Sequence, residues 1–373
     1  MKNPLLFANP RVYFGEAATE ALRAFNGKNI AIVTDDFMVK SGKTDYLAGF
    51  MPDARITIFS GVTPDPDVDI LQTGATQFKA FQPEVIIALG GGSSLDAAKG
   101  IKVTLQEYCP EKTITLIAIP TTSGSGSEVT AYAIISDTVH GQKYPLVADQ
   151  LLPDIAILDP HLVLSVPRAV AVDTGMDVLT HAIEAYLSPA ANDFSDALAE
   201  KAIRLVWRYL PQVFDHEKDL AARSRMHNAS CMAGMAFNAA GLGLVHGMAH
   251  ALGGVFHIPH GKINAMLLPL VIDYNAANGS AETLERYARC ARILGATQAD
   301  KRESIQQFTR LIRAMNRRFG IPATLLELNI TQADIARHRE RLIQAALADG
   351  CTATNPHVPT HGDIDGLITQ IAG

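Results

Sequence analysis

The first 165 or so residues alternate short apolar runs with stretches of helical periodicity. NIAIVTD (29–35), RITIFSG (55–61), EVIIALG (84–90), TITLIAI (113–119) and DIAILD (154–159) are short β-branched runs that read as buried parallel strands. Helical patterns near 38–50, 67–82 and 93–107 lie between them. Strand–helix alternation of this kind predicts βαβ units and a doubly wound, mostly parallel sheet, with ligands at the carboxyl ends of its strands. From Pro167 the texture changes. Helical periodicity runs through 168–188, 193–211, 218–239, 243–256, 281–294, 302–319, 331–348 and 363–371, without a convincing strand. The break at SVP (165–167) divides the chain into an α/β domain, 1–166, and an all-α domain, 167–373.

The chain's 373 residues accommodate two domains, and 48% hydrophobic with 19% charged residues is a globular balance. The net charge of −6 and the dispersed basic residues exclude nucleic acid and anionic membrane as expected partners. The opening MKNPLLFANPRVYFGE does not follow a signal-peptide pattern, and no apolar run approaches the length of a membrane span. Cys109, Cys231, Cys290 and Cys351 are far apart and form no CxxC pair, which reads as reduced thiols in a cytoplasmic protein.

Chemistry first enters at the glycines. Gly90-Gly91-Gly92-Ser93 follows a strand and opens the helix SSLDAAKG, so its backbone can approach a phosphate at a helix N-terminus. Ser93 is expected to cap that helix and to donate to a phosphate oxygen. The competing reading is an ordinary tight turn, and the run is not GxGxxG. PTTSGSGSEVT (120–130) clusters Thr121, Thr122, Ser123 and Ser125 after the next strand, either as a second cofactor surface or as a flexible Ser/Gly loop. Asp35 ends NIAIVTD, where an acid accepts ribose hydroxyls of NAD; a solvated polar turn is the alternative.

The densest chemistry lies in GLGLVHGMAHALGGVFHIPHGKIN (241–264). His246 and His250 are spaced i, i+4 on one helix face, and His260 is expected to project from a loop after Pro259. TGMDVLTHAIEAY (174–186) places Asp177 and His181 at the same spacing. Taken one at a time these are ordinary core or surface histidines. Taken together, one carboxylate and three imidazoles make a first shell for a divalent transition metal. Glu184, one turn after His181, is a candidate hydrogen-bond acceptor behind a ligand, and His257 has a supporting or structural place. His250 reads either as a proton relay or as packing against the nicotinamide.

With these pieces in place, the chain resembles the iron-containing (group III) alcohol dehydrogenase family over nearly its full length, and within it the propanol dehydrogenase and lactaldehyde reductase branches. The resemblance rests on GGGSSLDAAK (90–99), IPTTSGSGSEVT (119–130), KYPL (143–146), LPDIAILDP (152–160), TGMDVLTHAIEAY and GLGLVHGMAHALGGVFHIPHG (241–261). It implies a dinucleotide-binding N-terminal domain, an all-α metal-binding domain and a homodimer as minimal unit, with larger assemblies left open. The metal ligands it implies are Asp177, His181, His246 and His260, with Fe²⁺ as the metal and Zn²⁺ as a competitor in purified protein. Cofactor contacts carried over by position are Asp35, Gly91, Gly92, Ser93, Asp96, Thr121, Thr122, Ser125, Lys143 and Leu162. The implied reaction is NAD-dependent hydride transfer on short-chain primary alcohols, aldehydes or diols, with His250 as the catalytic side chain. Two positions depart from the family pattern: His357 follows Asn355-Pro356 where Arg is frequent, and Lys262 stands where a small apolar residue is more usual. Rival readings are a dehydroquinate-synthase-like or glycerol-dehydrogenase-like enzyme, or a non-catalytic metal or nucleotide sensor.

Overall fold

The computed structural model describes residues 7–137 and 142–373; the side chains of residues 137, 142 and 143 lie outside that description. Its strands are β1 (Arg11–Phe14), β2 (Asn29–Val33), β3 (Arg55–Phe59), β4 (Val85–Gly90), β5 (Thr115–Pro120), β6 (Tyr132–Asp137), β7 (Gln142–Val147) and β8 (Ile155–Leu158). Six of them form one sheet in the order β1-β8-β5-β4-β2-β3, and every pairing in it is parallel. The five apolar runs became its inner strands and β3. The edge strand β1 and the antiparallel hairpin β6–β7 were not expected, because neither has a fully apolar run.

Period-two alternation divides each strand between two cores. Ala31, Val33, Ile86, Ala88, Leu116 and Ala118 face one core with Leu71, Phe78 and Leu95. Ile30, Ile32, Val85, Ile87, Leu89, Ile117, Ile119, Ile155 and Ile157 face the other with Leu22, Leu47 and Leu162. The flanking helices are α1 (Asp36–Lys40), α2 (Lys43–Ala48), α3 (Val68–Phe81), α4 (Gly92–Tyr108) and α5 (Pro160–Val163). Chain order reverses at β2, which pairs with β3 on one side and β4 on the other. That switch point brings Asp35 and the Gly90–Gly92 turn to the same sheet end.

The remaining helices are α6 (Arg168–Leu187), α7 (Asp193–Asp215), α8 (Leu220–Ala240), α9 (Leu244–Phe256), α10 (His260–Asn278), α11 (Ala281–Ile293), α12 (Lys301–Arg318), α13 (Gln332–Ala348) and α14 (His361–Ala372). Compact units are Met1–Val166 with Lys218–Gly234, and Pro167–Glu217 with Met235–Gly373. The expected second domain, 167–373, differs from this division at residues 218–234. Arg223 Nη2 donates to Val166 O at 2.7 Å, and His227 Nδ1 lies 3.0 Å from Ser123 Oγ. A Cβ on Gly234 would stand 2.9 Å from Gly126 Cα, so the first part of α8 is seated on the α/β unit. No single helix among the described residues is long and apolar enough to cross a membrane.

Helix α10 was also not anticipated. Its 19 residues carry Pro269 in the interior and are buried on nearly every side, so no polar face gives a helical period. His260 therefore opens a helix, with Pro259 at its N-cap, instead of projecting from a loop.

Within the α/β unit, α4 fastens the segment that follows β5. Lys99 is buried and donates to Thr130 O (2.9 Å), Tyr132 O (2.6 Å) and Thr130 Oγ1 (3.3 Å). One turn earlier, Asp96 accepts from Ser127 Oγ at 2.6 Å and Ile134 N at 3.0 Å. Burial lowers the Lys99 pKa to about 8, against the pull of Asp96 and Glu128. Replacing Lys99 by Met would leave two carbonyls and these carboxylates without their cation. The expected loss is about 3–5 kcal/mol, read as a lower urea midpoint; a shift within about 0.5 kcal/mol would show that these contacts do not hold the segment.

Candidate metal centre and cofactor surface

Three helices of the helical unit bring the metal-competent side chains together. Asp177, His181 and Glu184 share one buried face of α6 at i, i+4 and i+7. His246 lies in the first turn of α9, and His260 opens α10. Asp177 Oδ1 is 3.7 Å from His181 Nε2, 3.5 Å from His246 Nε2 and 3.8 Å from His260 Nε2. Ligands about 2.1 Å from a tetrahedral metal stand about 3.4 Å apart; Asp177, His181 and His246 offer ligand atoms that all lie within 4.8 Å of one another, and His260 approaches that group through Asp177 Oδ1. Burial alone would raise the Asp177 pKa, but the three imidazoles outweigh it and hold the carboxyl well below its usual range.

Close approach of α10 to α6 depends on Gly261, where a Cβ would stand 2.1 Å from Asp173 O. Neither partner there is a flexible side-chain end, so the glycine lets His260 reach Asp177. Asn264, one turn after His260, was missed from the sequence. Its Nδ2 lies 2.7 Å from Asp177 Oδ1, 3.2 Å from His246 Nε2 and 3.1 Å from His260 Nε2. An imidazole nitrogen has one lone pair, so ligation replaces its contact with Asn264; Asp177 Oδ1 has lone pairs for both. Spacing i, i+4 from His260 is the signal for Asn264, legible only once α10 is known to be a helix.

Glu184 faces a metal-competent imidazole, that of His246 on α9. Glu184 Oε2 is 2.5 Å from His246 Nδ1, and Oε1 accepts from Val245 N at 2.6 Å. The carboxylate thereby caps the N-terminus of α9, which has no capping side chain of its own, and holds the His246 proton on Nδ1 so that Nε2 is free to ligate. Burial opposes charge on His246, yet Glu184 and Asp177 together raise its pKa to about 9, so an arriving ion would displace a proton from Nε2 while Glu184 keeps the one on Nδ1. Leu244 N donates to Asn355 Oδ1 at 3.2 Å, completing the cap.

His250 lies one turn beyond His246 and stacks on His260, with centroids 5.3 Å apart. Its Nδ1 is 2.8 Å from Asp349 Oδ2, leaving Nε2 as the ring nitrogen for chemistry. Asp349 is 99 residues away in sequence, and no local signal announces it. His257 ends α9 as its C-cap in the left-handed conformation, a structural place. Lys262 Nζ lies 3.7 Å from Asp173 Oδ2.

The expected cofactor residues fall in the α/β unit. Asp35 caps α1, accepting from Met38 N at 3.0 Å. Gly91, and not Ser93, is the N-cap of α4, and no side chain caps that end. Ser93 Oγ instead accepts from Asp65 N at 3.4 Å. The first-turn N–H groups of Gly92 and Ser93 are therefore suited to an anion. A Cβ on Gly91 would be 3.6 Å from the Thr122 side chain, and one on Gly92 would be 3.2 Å from Ser125 Cβ, so the two Gly/Ser loops lie side by side. Thr121 N donates to Gly90 O at 2.8 Å. Asp96 has both oxygens engaged by protein donors, and Leu162 is a core residue. Lys143 is in β7, with its side chain outside the described residues.

Comparison with known proteins places these features in company. Residues 9–160 match the family described as iron-containing alcohol dehydrogenase, and residues 171–372 match the C-terminal region of the Fe-containing alcohol dehydrogenase family. The chain is 46% identical to 1-propanol dehydrogenase PduQ of Salmonella typhimurium over 97% of this chain and 98% of that protein. It is similar to the crystal structure of a 1,3-propanediol oxidoreductase, with 33% identity, a TM-score of 0.90 and coverage of 99% and 100% of the two chains. It is also similar to sulfoacetaldehyde reductase from Bifidobacterium kashiwanohense in complex with NAD⁺, with 28% identity, a TM-score of 0.87 and full coverage of both chains.

Glu184→Gln tests the support behind His246. An amide can still accept from one donor, but it withdraws the charge that faces the imidazole. Metal affinity in a chelator competition is expected to fall about 10–100-fold with circular dichroism unchanged. Unchanged affinity would show that Glu184 acts only as a helix cap.

Proposed function

Because the chain belongs to the iron-containing alcohol dehydrogenase family, we propose that it interconverts short-chain primary alcohols and aldehydes of the propanol class with NAD(H). The observation that carries this reading is the convergence of one carboxylate oxygen and three imidazole Nε2 atoms, each imidazole nitrogen within 3.8 Å of that oxygen. A divalent ion held here, Fe²⁺ in the cell and Zn²⁺ in competition with it, would supply Lewis acidity toward the alcohol or aldehyde oxygen, and bound NAD(H) would supply the hydride chemistry.

The chain's own residues do the rest. Asp177, His181, His246 and His260 hold the ion, and Glu184 keeps the His246 proton away from Nε2. Asp349 holds His250 Nδ1, so His250 Nε2 accepts the proton released on alcohol oxidation and returns it on aldehyde reduction. Gly91, Gly92 and Ser93 receive the cofactor pyrophosphate at the N-terminus of α4, with Thr121, Thr122 and Ser125 alongside; the family resemblance adds Lys143 to the cofactor contacts. Asp96 holds Ser127 and the Ile134 backbone in the segment that follows β5, and Leu162 packs in the core of the α/β unit. The working assembly is a homodimer in the cytoplasm.

Protein loaded anaerobically with Fe²⁺ is expected to oxidise NADH with propanal. His260→Ala is expected to lose both the metal after dialysis and the turnover while keeping its circular dichroism spectrum. Full metal retention with wild-type turnover would overturn the ligand assignment, and absence of turnover with every short aldehyde would overturn the activity.

Cofactor choice rests on Asp35. A carboxylate at the end of β2 accepts from both ribose hydroxyls of NAD, whereas NADP brings a phosphate against it. At about 4 Å and an effective dielectric near 20 the repulsion is several kcal/mol, and solvent reduces it. A preference of about 10²-fold for NADH, or about 2.7 kcal/mol, is expected. Asp35→Gly should improve kcat/KM for NADPH and weaken it modestly for NADH. The same cofactor ratio in mutant and wild type would assign discrimination elsewhere.

A further inference from the structure

A second group of metal-competent side chains lies in the helical unit, outside the four-residue ligand set. His250, Asp349 and Cys351 each offer one ligand atom, and the three atoms lie within 4.8 Å of one another. His250 Nδ1 is 2.8 Å from Asp349 Oδ2, and Cys351 N donates to Asp349 Oδ1 at 2.8 Å. Cys351 opens a short 3₁₀ turn, Thr352–Thr354, which Thr352 Oγ1 ties to Ala346 O at the end of α13. Asp349, the C-cap of that helix, is therefore held in place, and with it two of the three donors. His250 is the more exposed partner, so an ion can reach the group from solvent.

We infer that His250, Asp349 and Cys351 form a second, inhibitory site for a borderline-soft divalent ion of the zinc and cobalt class. The donor set is one nitrogen, one oxygen and one sulfur, which favours those ions over Mg²⁺ or Ca²⁺. Three protein ligands leave a position for water, the arrangement of a labile site rather than a structural one. Burial pushes the Cys351 thiol pKa up, and the neighbouring Asp349 carboxylate pushes it further. The ion must therefore displace that proton: the S–H bond breaks, a metal–sulfur bond forms, and the proton leaves to water. No electron is transferred. Ligation at His250 Nδ1 moves the imidazole hydrogen to Nε2, so Nε2 loses the lone pair that accepts the alcohol proton. This inhibitory consequence rests on the proposed role of His250, whereas binding at the second site does not.

The experiment uses the full chain with its four-ligand site filled by one equivalent of Co²⁺ and then titrates further Co²⁺. A thiolate-to-cobalt charge-transfer band in the near ultraviolet is expected only with the second equivalent, because the four-residue set contains no sulfur. Cys351→Ala and the nearly isosteric Cys351→Ser are expected to lose the band and the second equivalent. Absence of the band in wild type, its appearance with the first equivalent, or its persistence in both variants would overturn the site. In parallel, propanal reduction is compared before and after the second equivalent. Turnover is expected to be lost in wild type and retained in Cys351→Ala relative to its own starting rate; unchanged wild-type turnover beside a full band would overturn the inhibitory role. A protein with no turnover at all would fail the proposed function and leave the spectroscopic result to decide the site.

Discussion

One buried carboxylate, Asp177, sets the terms for the helical unit. Its relative exposure is 6%, and an isolated ionised carboxylate at that depth would cost many kcal/mol. The Asn264 amide donates to that oxygen, and three imidazole Nε2 atoms within 3.8 Å of it make the setting that a divalent cation would complete. Each donor comes with a demand of its own. His181 requires α6 to continue unbroken past Asp177. His246 requires the first turn of α9 to meet α6. His260 and Asn264 require α10 to begin against the α6 backbone at Gly261. The packing of three helices is thus organised by electrostatics at one point, and the surrounding Leu, Ile, Val and Met side chains fill the space this leaves.

Glu184 extends the same logic by one layer. It is on the face of α6 that carries Asp177 and His181, yet it reaches forward to α9, where it fixes an imidazole proton and satisfies a helix N-terminus at once. A single carboxylate serves tautomer, ring orientation and cap, so α6 both supplies ligands and aligns a ligand on another helix. The α/β unit solves a different problem. The cofactor surface proposed for it is made of backbone, at Gly91 and Gly92, and buried polar side chains of α4 hold the segment that follows β5. Asp96 and Lys99 show this most clearly. Both are buried, both are charged types, and both are spent on fastening residues 127–134 to α4.

Much of this architecture was legible in the chain. Five β-branched and apolar runs located five of the six sheet strands; four are inner strands, buried on both faces, and the fifth, β3, is a half-buried edge strand with Arg55 exposed. Helical periodicity located α6 to α9 and α11 to α14, with α7 continuing through Pro211 to Asp215, beyond its expected end at 211. The elements that escaped are those whose burial is unusual for their type. Helix α10 is surrounded by protein and shows no polar stripe. Strand β1 and the hairpin β6–β7 are short or exposed, with Tyr13, Phe14, Tyr144 and Val147 open to solvent, and carry no core pattern.

The ligand-type residues were likewise determined by sequence: i, i+4 spacing puts Asp177 with His181, and His246 with His250, on shared helix faces whatever the tertiary fold does. Helical geometry is local, and so is the inference. Which helices meet is not local. That Glu184 belongs to His246, that Asn264 touches three ligand atoms, that Asp349 holds His250, and that Ser93 yields the helix cap to Gly91 all depend on contacts between segments brought together by packing. The sequence by itself therefore determined the donor chemistry and the helix faces that carry it. Only the tertiary structure decided which imidazole nitrogen turns toward Asp177 and which toward another carboxylate, because an imidazole's tautomer is set by whatever lies on its far side.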